Sequence, residues 1–161
     1  MNECQSVFQV HMAVYDDIEI ISEITKDAFT EYAKKLGVDK VDALCESFED
    51  IKNDIDTKLV FIASEKGIPM GVVRVAVDDD ANAYLSRFAV RTSNHNSGIG
   101  KYLISVVDDE MIKKGVKKIS LHTGSDVISL MNFYSGRGFT VESTDNKRGY
   151  KRALLVKHYD R

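Results

Sequence analysis

The sequence predicts a three-layer α/β or α+β fold in which a mixed β-sheet carries helices on both faces. Three observations lead there. Runs of β-branched residues alternate with stretches of helical periodicity, in the order βααβββαβαββ. The early strands are joined by a hairpin-length turn, whereas the later ones are separated by helices. Finally, the 161 residues contain one proline, Pro69, and no Gly/Ser-rich linker, repeat or composition break, so residues 1–161 are expected to form a single domain.

Val7 to Val14 reads as the first strand, and Ile18, Ile21, Ile24, Ala28, Tyr32 and Leu36 recur at helical spacing until Gly37 supplies a stop. Val41 to Asp56 is a second helical stretch rich in acid. Leu59 to Ser64 (LVFIAS) and Met70 to Val77 (MGVVRVAV) are strands joined by the turn residues Glu65 to Pro69, an antiparallel hairpin. Beyond the acidic turn Asp78 to Asp80, Ala83 to Val90 is a further strand. A third helix follows on Ile99, Leu103, Val107 and Met111 and stops at Gly115. Lys117 to Thr123 is a strand, Asp126 to Ser135 a helix, and Phe139 to Val141 with Tyr150 to Tyr159 the closing strand pair.

Composition excludes several functions. With 22 Lys and Arg against 25 Asp and Glu, the net charge of −3 provides no bulk field for nucleic acid or an anionic membrane. The basic cluster Lys147-Arg148 and Lys151-Arg152 reads as a hairpin surface or a contact with another chain. Cys4 and Cys45 have no CxxC spacing and four scattered histidines form no ligand pair, so no metal site is expected and both thiols read as packing residues. No apolar run approaches the ~20 residues of a membrane span, and MNECQSVFQV lacks the features of a secretory signal, which points to a cytoplasmic protein.

Two segments carry chemistry. The first runs from Arg91 to Lys101 and holds His95-Asn96-Ser97-Gly98-Ile99-Gly100 between a strand and a helix. Small residues there let successive N–H groups turn inward, and the free amides and dipole of the following helix favour an anion such as phosphate. It is neither a P-loop, which needs Gly at 95 and Ser or Thr at 102 (here His95 and Tyr102), nor a dinucleotide fingerprint, because position 103 is Leu103. Taken alone, Gly98 and Gly100 also suit a tight strand-to-helix turn. The second segment, Asn132-Phe133-Tyr134-Ser135-Gly136-Arg137-Gly138-Phe139, ends a helix and starts a strand, with Phe139 pointing back into the core. Tyr134 alone reads as a surface or half-buried tyrosine beside a helix end.

Together and in this order, the two segments resemble the GNAT superfamily of acyl-CoA-dependent N-acyltransferases over nearly the whole chain. Leu85-Ser86-Arg87-Phe88-Ala89-Val90 with His95 to Gly100 is similar to that family's fourth strand and pyrophosphate loop, and Phe133-Tyr134-x-x-x-Gly138-Phe139 to its later motif. The sequence departs from the pattern at His95, where Arg or Gln is usual, at Thr92, where Pro often stands, and at Val127, where an Asn often holds the pantetheine arm. Asp126 and Asn132 are near that position but out of register.

The resemblance implies a sheet splayed between its fourth and fifth strands. It also implies acetyl-CoA as cosubstrate, no metal, and transfer of the acetyl group to a primary amine by direct attack. The contacts it implies are Phe88, Ala89 and Val90 along the pantetheine arm, His95, Asn96, Ser97, Gly98, Ile99, Gly100 and Lys101 at the diphosphate, and Asn132 and Tyr134 further along. Tyr134 is the implied acid for the leaving thiolate, since a phenol of pKa about 10 stays protonated beside a thiol of pKa about 8.5. Ser86, through a water chain, or His122 is the candidate for removing the amine's proton.

The acceptor is expected to be a small molecule or a peptide amine. Glu46, Glu49, Asp50, Asp54 and Asp56, opposed by Lys52 alone, suggest either an acidic lip for a small cationic amine or simply a solvated helix face. A non-catalytic acyl-CoA-binding or sensing module is the alternative function. The resemblance leaves a homodimer open, with the final strand as the edge that would pair.

Overall fold

The computed structural model describes residues 7–95 and 97–159. A seven-stranded sheet runs in the order β1-β2-β3-β4-β5-β7-β6. Its strands are β1 (Phe8–Met12), β2 (Leu59–Glu65), β3 (Ile68–Val77), β4 (Asn82–Val90), β5 (Lys118–Gly124), β6 (Thr140–Asp145) and β7 (Arg152–His158). The helices are α1 (Ile18–Leu36), α2 (Phe48–Thr57), α3 (Ile99–Lys113) and α4 (Ile128–Gly136). All neighbouring strands are antiparallel except β4 and β5, which are parallel. This is the mixed three-layer arrangement expected from the sequence.

Alternation along the strands builds two cores. On β2 and β3, Phe61, Ala63, Val73 and Val75 face α3, whose Ile99, Leu103, Val107 and Met111 lie one helical turn apart and are fully buried. The intervening Val60, Ile62 and Val72 face α1 and α2 through Ile21, Ile24 and Ile51. Arg74 shares the face of Val72 yet has 0% exposure, so this second core holds a buried charge.

Four sequence expectations are corrected. The helix expected over residues 41–56 is in fact a 3-10 turn, Asp42–Cys45, an extended link, and then α2. The break falls at Ser47, whose hydroxyl accepts from the Asp50 amide at 3.1 Å while the Asp50 carboxylate accepts from the Ser47 amide at 2.9 Å. That reciprocal cap fixes the start of α2.

The β2–β3 hairpin turns on two residues rather than five. Lys66 and Gly67 have φ of 53° and 82°, the doubly positive pair that matches the strand twist. Cys45 is exposed at the end of its 3-10 turn rather than packed, while Cys4 lies outside the described residues. Finally, β7 has both edges paired, by β5 and β6, so the free edge at that end of the sheet belongs to β6.

Two irregularities shape the centre of the sheet. The β3–β4 register jumps between Val72↔Ala89 and Arg74↔Ser86, placing one extra residue on β4. Arg87 sits in this bulge with a φ of 52°, a left-handed conformation that a non-glycine residue adopts at a cost. Beside it, β4 and β5 pair only at Asn82, Ala83 and Tyr84 with Lys118, Ile119 and Ser120. Beyond Tyr84 the two strands diverge, leaving the β5-facing edge of the β4 backbone without a strand partner. Among the described residues, no helix is long and apolar enough to cross a membrane.

Candidate active site

The divergence of β4 and β5 opens a cleft of about 740 Å³. Its walls come from β4 (Tyr84, Ser86, Arg87, Phe88), β5 (Leu121, His122, Thr123), α1 (Tyr32) and α4 (Phe133, Tyr134). The start of α3 (Gly98, Gly100, Lys101) closes one end. The volume lies in the range of small-molecule and cofactor sites.

At the α3 end the backbone supplies the binding groups. Gly98 caps the helix with a φ of 93°, where a side chain would be strained, and the first closing bond runs from the Tyr102 amide to the Gly98 carbonyl at 3.0 Å. Helix geometry therefore leaves the amides of Gly98, Ile99, Gly100 and Lys101 without an i−4 acceptor. Among the described residues, only Ile99 has a local substitute, the Ser97 hydroxyl at 3.4 Å. A Cβ on Gly100 would stand 3.2 Å from Phe88 Cζ and 3.6 Å from Val90 Cγ2, so the glycine lets α3 approach β4 closely. These amides and the helix dipole form a site for a phosphate group.

The individual expectations divide. Gly98, Gly100, Lys101, Phe88, Val90, His95, Tyr134, Ser86 and His122 all line the cleft. The Ile99 and Ala89 side chains are buried in opposite cores, so only their backbones are candidates. Ser97 is exposed beside the Gly98 cap, and Asn96 lies outside the described residues. His95 turns its Nε2 to the Val90 carbonyl at 3.2 Å, joining the loop to the end of β4. Asn132 is exposed and absent from the lining. Two residues before Tyr134, it sits about 200° away around α4, at ~100° per residue.

Tyr134 is 5% exposed and packs edge-on against Phe88, Phe133 and Phe139, with centroids 6.0, 5.3 and 5.7 Å away. Burial, with a smaller contribution from Tyr32, holds its phenol well above the ordinary range. The group is thus a proton donor throughout the physiological pH range. His122 lies across the cleft on β5, its Nδ1 2.6 Å from the Tyr84 hydroxyl. Burial first, then the positive charge of Arg152, lowers its pKa from an ordinary value near 6.5. It is therefore neutral at pH 7 and able to accept a proton. Ser86 lines the same wall.

A charged cluster that the sequence reading missed underlies the bulge. Arg74 Nη2 donates to Glu46 Oε1 at 2.7 Å, and its Nη1 to Glu46 Oε2 and Asp54 Oδ2, both at 2.9 Å. Glu46 also accepts from Arg87 Nε at 3.2 Å, and Asp54 pairs with Lys58 at 3.3 Å. Asp50 caps α2 and Asp56 accepts from the Tyr15 hydroxyl. Of the two readings of this acidic segment, the lip for a cationic amine is therefore weakened, because Glu46 and Asp54 are engaged by arginine and lysine. The available signal was a lone arginine inside the apolar run MGVVRVAV, a charge that must find carboxylates if the strand is buried. Among the described residues, no group of side chains could hold a metal ion.

Residues 19–139 match the family model described as the acetyltransferase (GNAT) family. A comparison with curated protein sequences finds no significant match. Among solved structures, the chain is similar to PaiA N-acetyltransferase from Thermoplasma acidophilum in complex with coenzyme A. That match has a TM-score of 0.82 and 21% identity, and covers 94% of this chain and 99% of that one. It is also similar to the ribosomal-protein-S18-alanine N-acetyltransferase from Escherichia coli, with a TM-score of 0.79, 16% identity and coverage of 96% and 95%. A spermidine N-acetyltransferase chimera from Vibrio cholerae and hSSAT superposes with a TM-score of 0.76, 15% identity and coverage of 95% and 96%.

Proposed function

The chain belongs to the acetyltransferase (GNAT) family, and from that premise we propose that it is a single-domain N-acetyltransferase moving an acetyl group from acetyl-CoA to a primary amine by direct attack in the β4–β5 cleft. The observation that carries this reading is one continuous cleft with an amide-lined helix start at one end and the Tyr134–His122 region further along. Coenzyme A bound to the neighbour from Thermoplasma acidophilum supports the choice of cosubstrate. The residues fit that group: free amides at Gly98, Gly100 and Lys101 for its diphosphate, and an unpaired β4 edge for its amide-bearing arm.

Bound acetyl-CoA would supply an activated thioester carbonyl. The backbone around Ala89 and Val90, fixed by pairing to Val72 and Gly71, holds and orients the reacting group, and most of the rate enhancement comes from that positioning. Phe88, stacked on Phe133 with centroids 5.5 Å apart, shields the site from water. Tyr134 keeps its proton at the phenol oxygen and donates it to the departing sulfur. Burial raises the proton affinity of both groups, so the donor remains matched to its acceptor.

An alkylamine of pKa near 10.4 is almost wholly protonated at pH 7, so a base must act before attack. His122 does this through Nε2 in the tautomer whose Nδ1–H donates to the Tyr84 oxygen. Ser86 carries the water through which the proton travels.

A profile of kcat/KM against pH tests the base. With its pKa lowered, His122 loses its basic form only below about 6.5, so the acidic limb should lie below that value. His122→Ala should lower kcat/KM at pH 7 by roughly 10²-fold and remove that limb. An unchanged profile would exclude His122 as the base. The reaction itself is tested by release of free coenzyme A thiol when acetyl-CoA is mixed with an amine panel. Binding of acetyl-CoA with no release for any amine would instead mark a non-catalytic acyl-CoA-binding module.

A further inference from the structure

The amine end of the cleft is lined by guanidinium groups from three separate segments: Arg87 in the β4 bulge, Arg148 in the turn before β7, and Arg152 on β7. Each is held by a carboxylate. Arg87 Nε donates to Glu46 at 3.2 Å, Arg152 Nε to Asp145 at 2.9 Å, and Arg148 Nη1 to the exposed Asp42. The first two contacts use only Nε. Among the described residues, the Nη groups of Arg87 and Arg152 have no hydrogen-bond partner, although the side chains are only 28% and 14% exposed. Both forks are thus fixed and vacant, the condition for bidentate recognition of a carboxylate.

The three arginines converge on the proton-transfer pair. All three act electrostatically on the Tyr84 phenol, and Arg148 and Arg152 also act on His122. Asp145, the partner of Arg152, opposes part of this field at His122, and Asp42 pairs with Arg148, whereas the Nη edges of Arg87 and Arg152 stay open to the cleft. The carboxylates of the adjoining shallow pocket are engaged: Glu46 and Asp54 by Arg74, Asp50 by the Ser47 amide, and Asp42 by Arg148. A polyamine would meet carboxylates that are already engaged, beside the open Nη edges of Arg87 and Arg152.

We propose that the acceptor carries a carboxylate beside its amine, held by the free guanidinium edges of Arg87 and Arg152 with Arg148 at the rim. This rests on the acetyltransferase reading and narrows its substrate class from any primary amine to amino-acid-like amines. The ordering is physical: a carboxylate anchored at the arginines leaves an amine a few bonds away free to reach His122. Free amino acids and peptide amines flanked by Asp or Glu share this chemistry.

The experiment measures thiol release from acetyl-CoA with free amino acids, their α-amides, short peptides with Asp or Glu in second position, the Asn or Gln counterparts of those peptides, and spermidine. The best carboxylate acceptor should exceed its amide counterpart at least tenfold in kcat/KM, and Arg152→Gln should bring that ratio toward one, chiefly through KM. Which arm carries the preference separates free amino acids from acidic peptides. Calorimetry gives a second readout: with coenzyme A present, N-acetylglycine should bind at least tenfold more tightly than N-acetylglycinamide, and Arg148→Ala should narrow that gap as an exposed alternative to Arg152→Gln. Turnover of amides or spermidine at or above the best acid would overturn the proposal, as would a panel in which no acid is acetylated. If coenzyme A itself fails to bind, the acetyltransferase reading falls instead, so the two failures are distinguishable.

Discussion

Tyr134→Phe is expected to lower kcat by roughly 10²- to 10⁴-fold, the usual contribution of a positioned acid, while coenzyme A affinity changes by less than about tenfold. The substitution isolates chemistry from packing. The ring is held by Phe88, Phe133 and Phe139, contacts that a phenylalanine reproduces. The hydroxyl has no hydrogen-bond partner among the described residues, so its removal orphans no protein group, and stability should change little. Thiol release under saturating acetyl-CoA, set beside calorimetric titration of coenzyme A, separates the two effects. A packing role alone predicts a kcat equal to the parent's, which would end the assignment.

Glu46→Ala is expected to destabilise the fold by about 3–5 kcal/mol, the cost of leaving a buried charge unpaired. Arg74 is fully buried and Glu46 6% exposed, and Glu46 satisfies both terminal nitrogens of Arg74. Asp54 would remain, but it contacts only Nη1 and is shared with Lys58. The already unpartnered Arg74 Nε would then sit beside an Nη2 left with only its long, 3.5 Å bond to Thr25 Oγ1. Removing both charges should do less harm than removing one, so Glu46→Leu combined with Arg74→Met is predicted to be more stable than Glu46→Ala. Urea unfolding of the three proteins checks this. If the single variant is as stable as the parent, the cluster is not a structural clamp. The same variant should also relax the bulge, because Glu46 is the anchor for Arg87 Nε.

This coupling explains what could be read from the sequence. Element order and the two core faces follow from local pattern: Ile99, Leu103, Val107 and Met111 are a helical stripe in sequence and in space. The phosphate-binding helix start was legible because Gly98 and Gly100 are local backbone devices. The bulge was not, since its residues, Arg87 among them, look like ordinary strand and Arg87 is anchored by Glu46, in the distant extended link that follows the 3-10 turn.

The internal pairing of the acidic segment was hidden for the same reason. Its charges are conspicuous in sequence, but Arg74 and Arg87, which neutralise them, lie 28 and 41 residues from Glu46. The break in the helix expected over residues 41–56 was, by contrast, written locally in the Ser47–Asp50 cap. Asn132 shows how little sequence proximity means on a helix, where two positions suffice to face away from the cleft that Tyr134 lines.

Calorimetric titration of coenzyme A into the folded protein tests the central claim most directly, because every functional step depends on the amides at the start of α3 holding a diphosphate. Saturable one-to-one binding that is competed by acetyl-CoA is the predicted result. No heat across the titration, from protein whose unfolding transition remains cooperative, would contradict it.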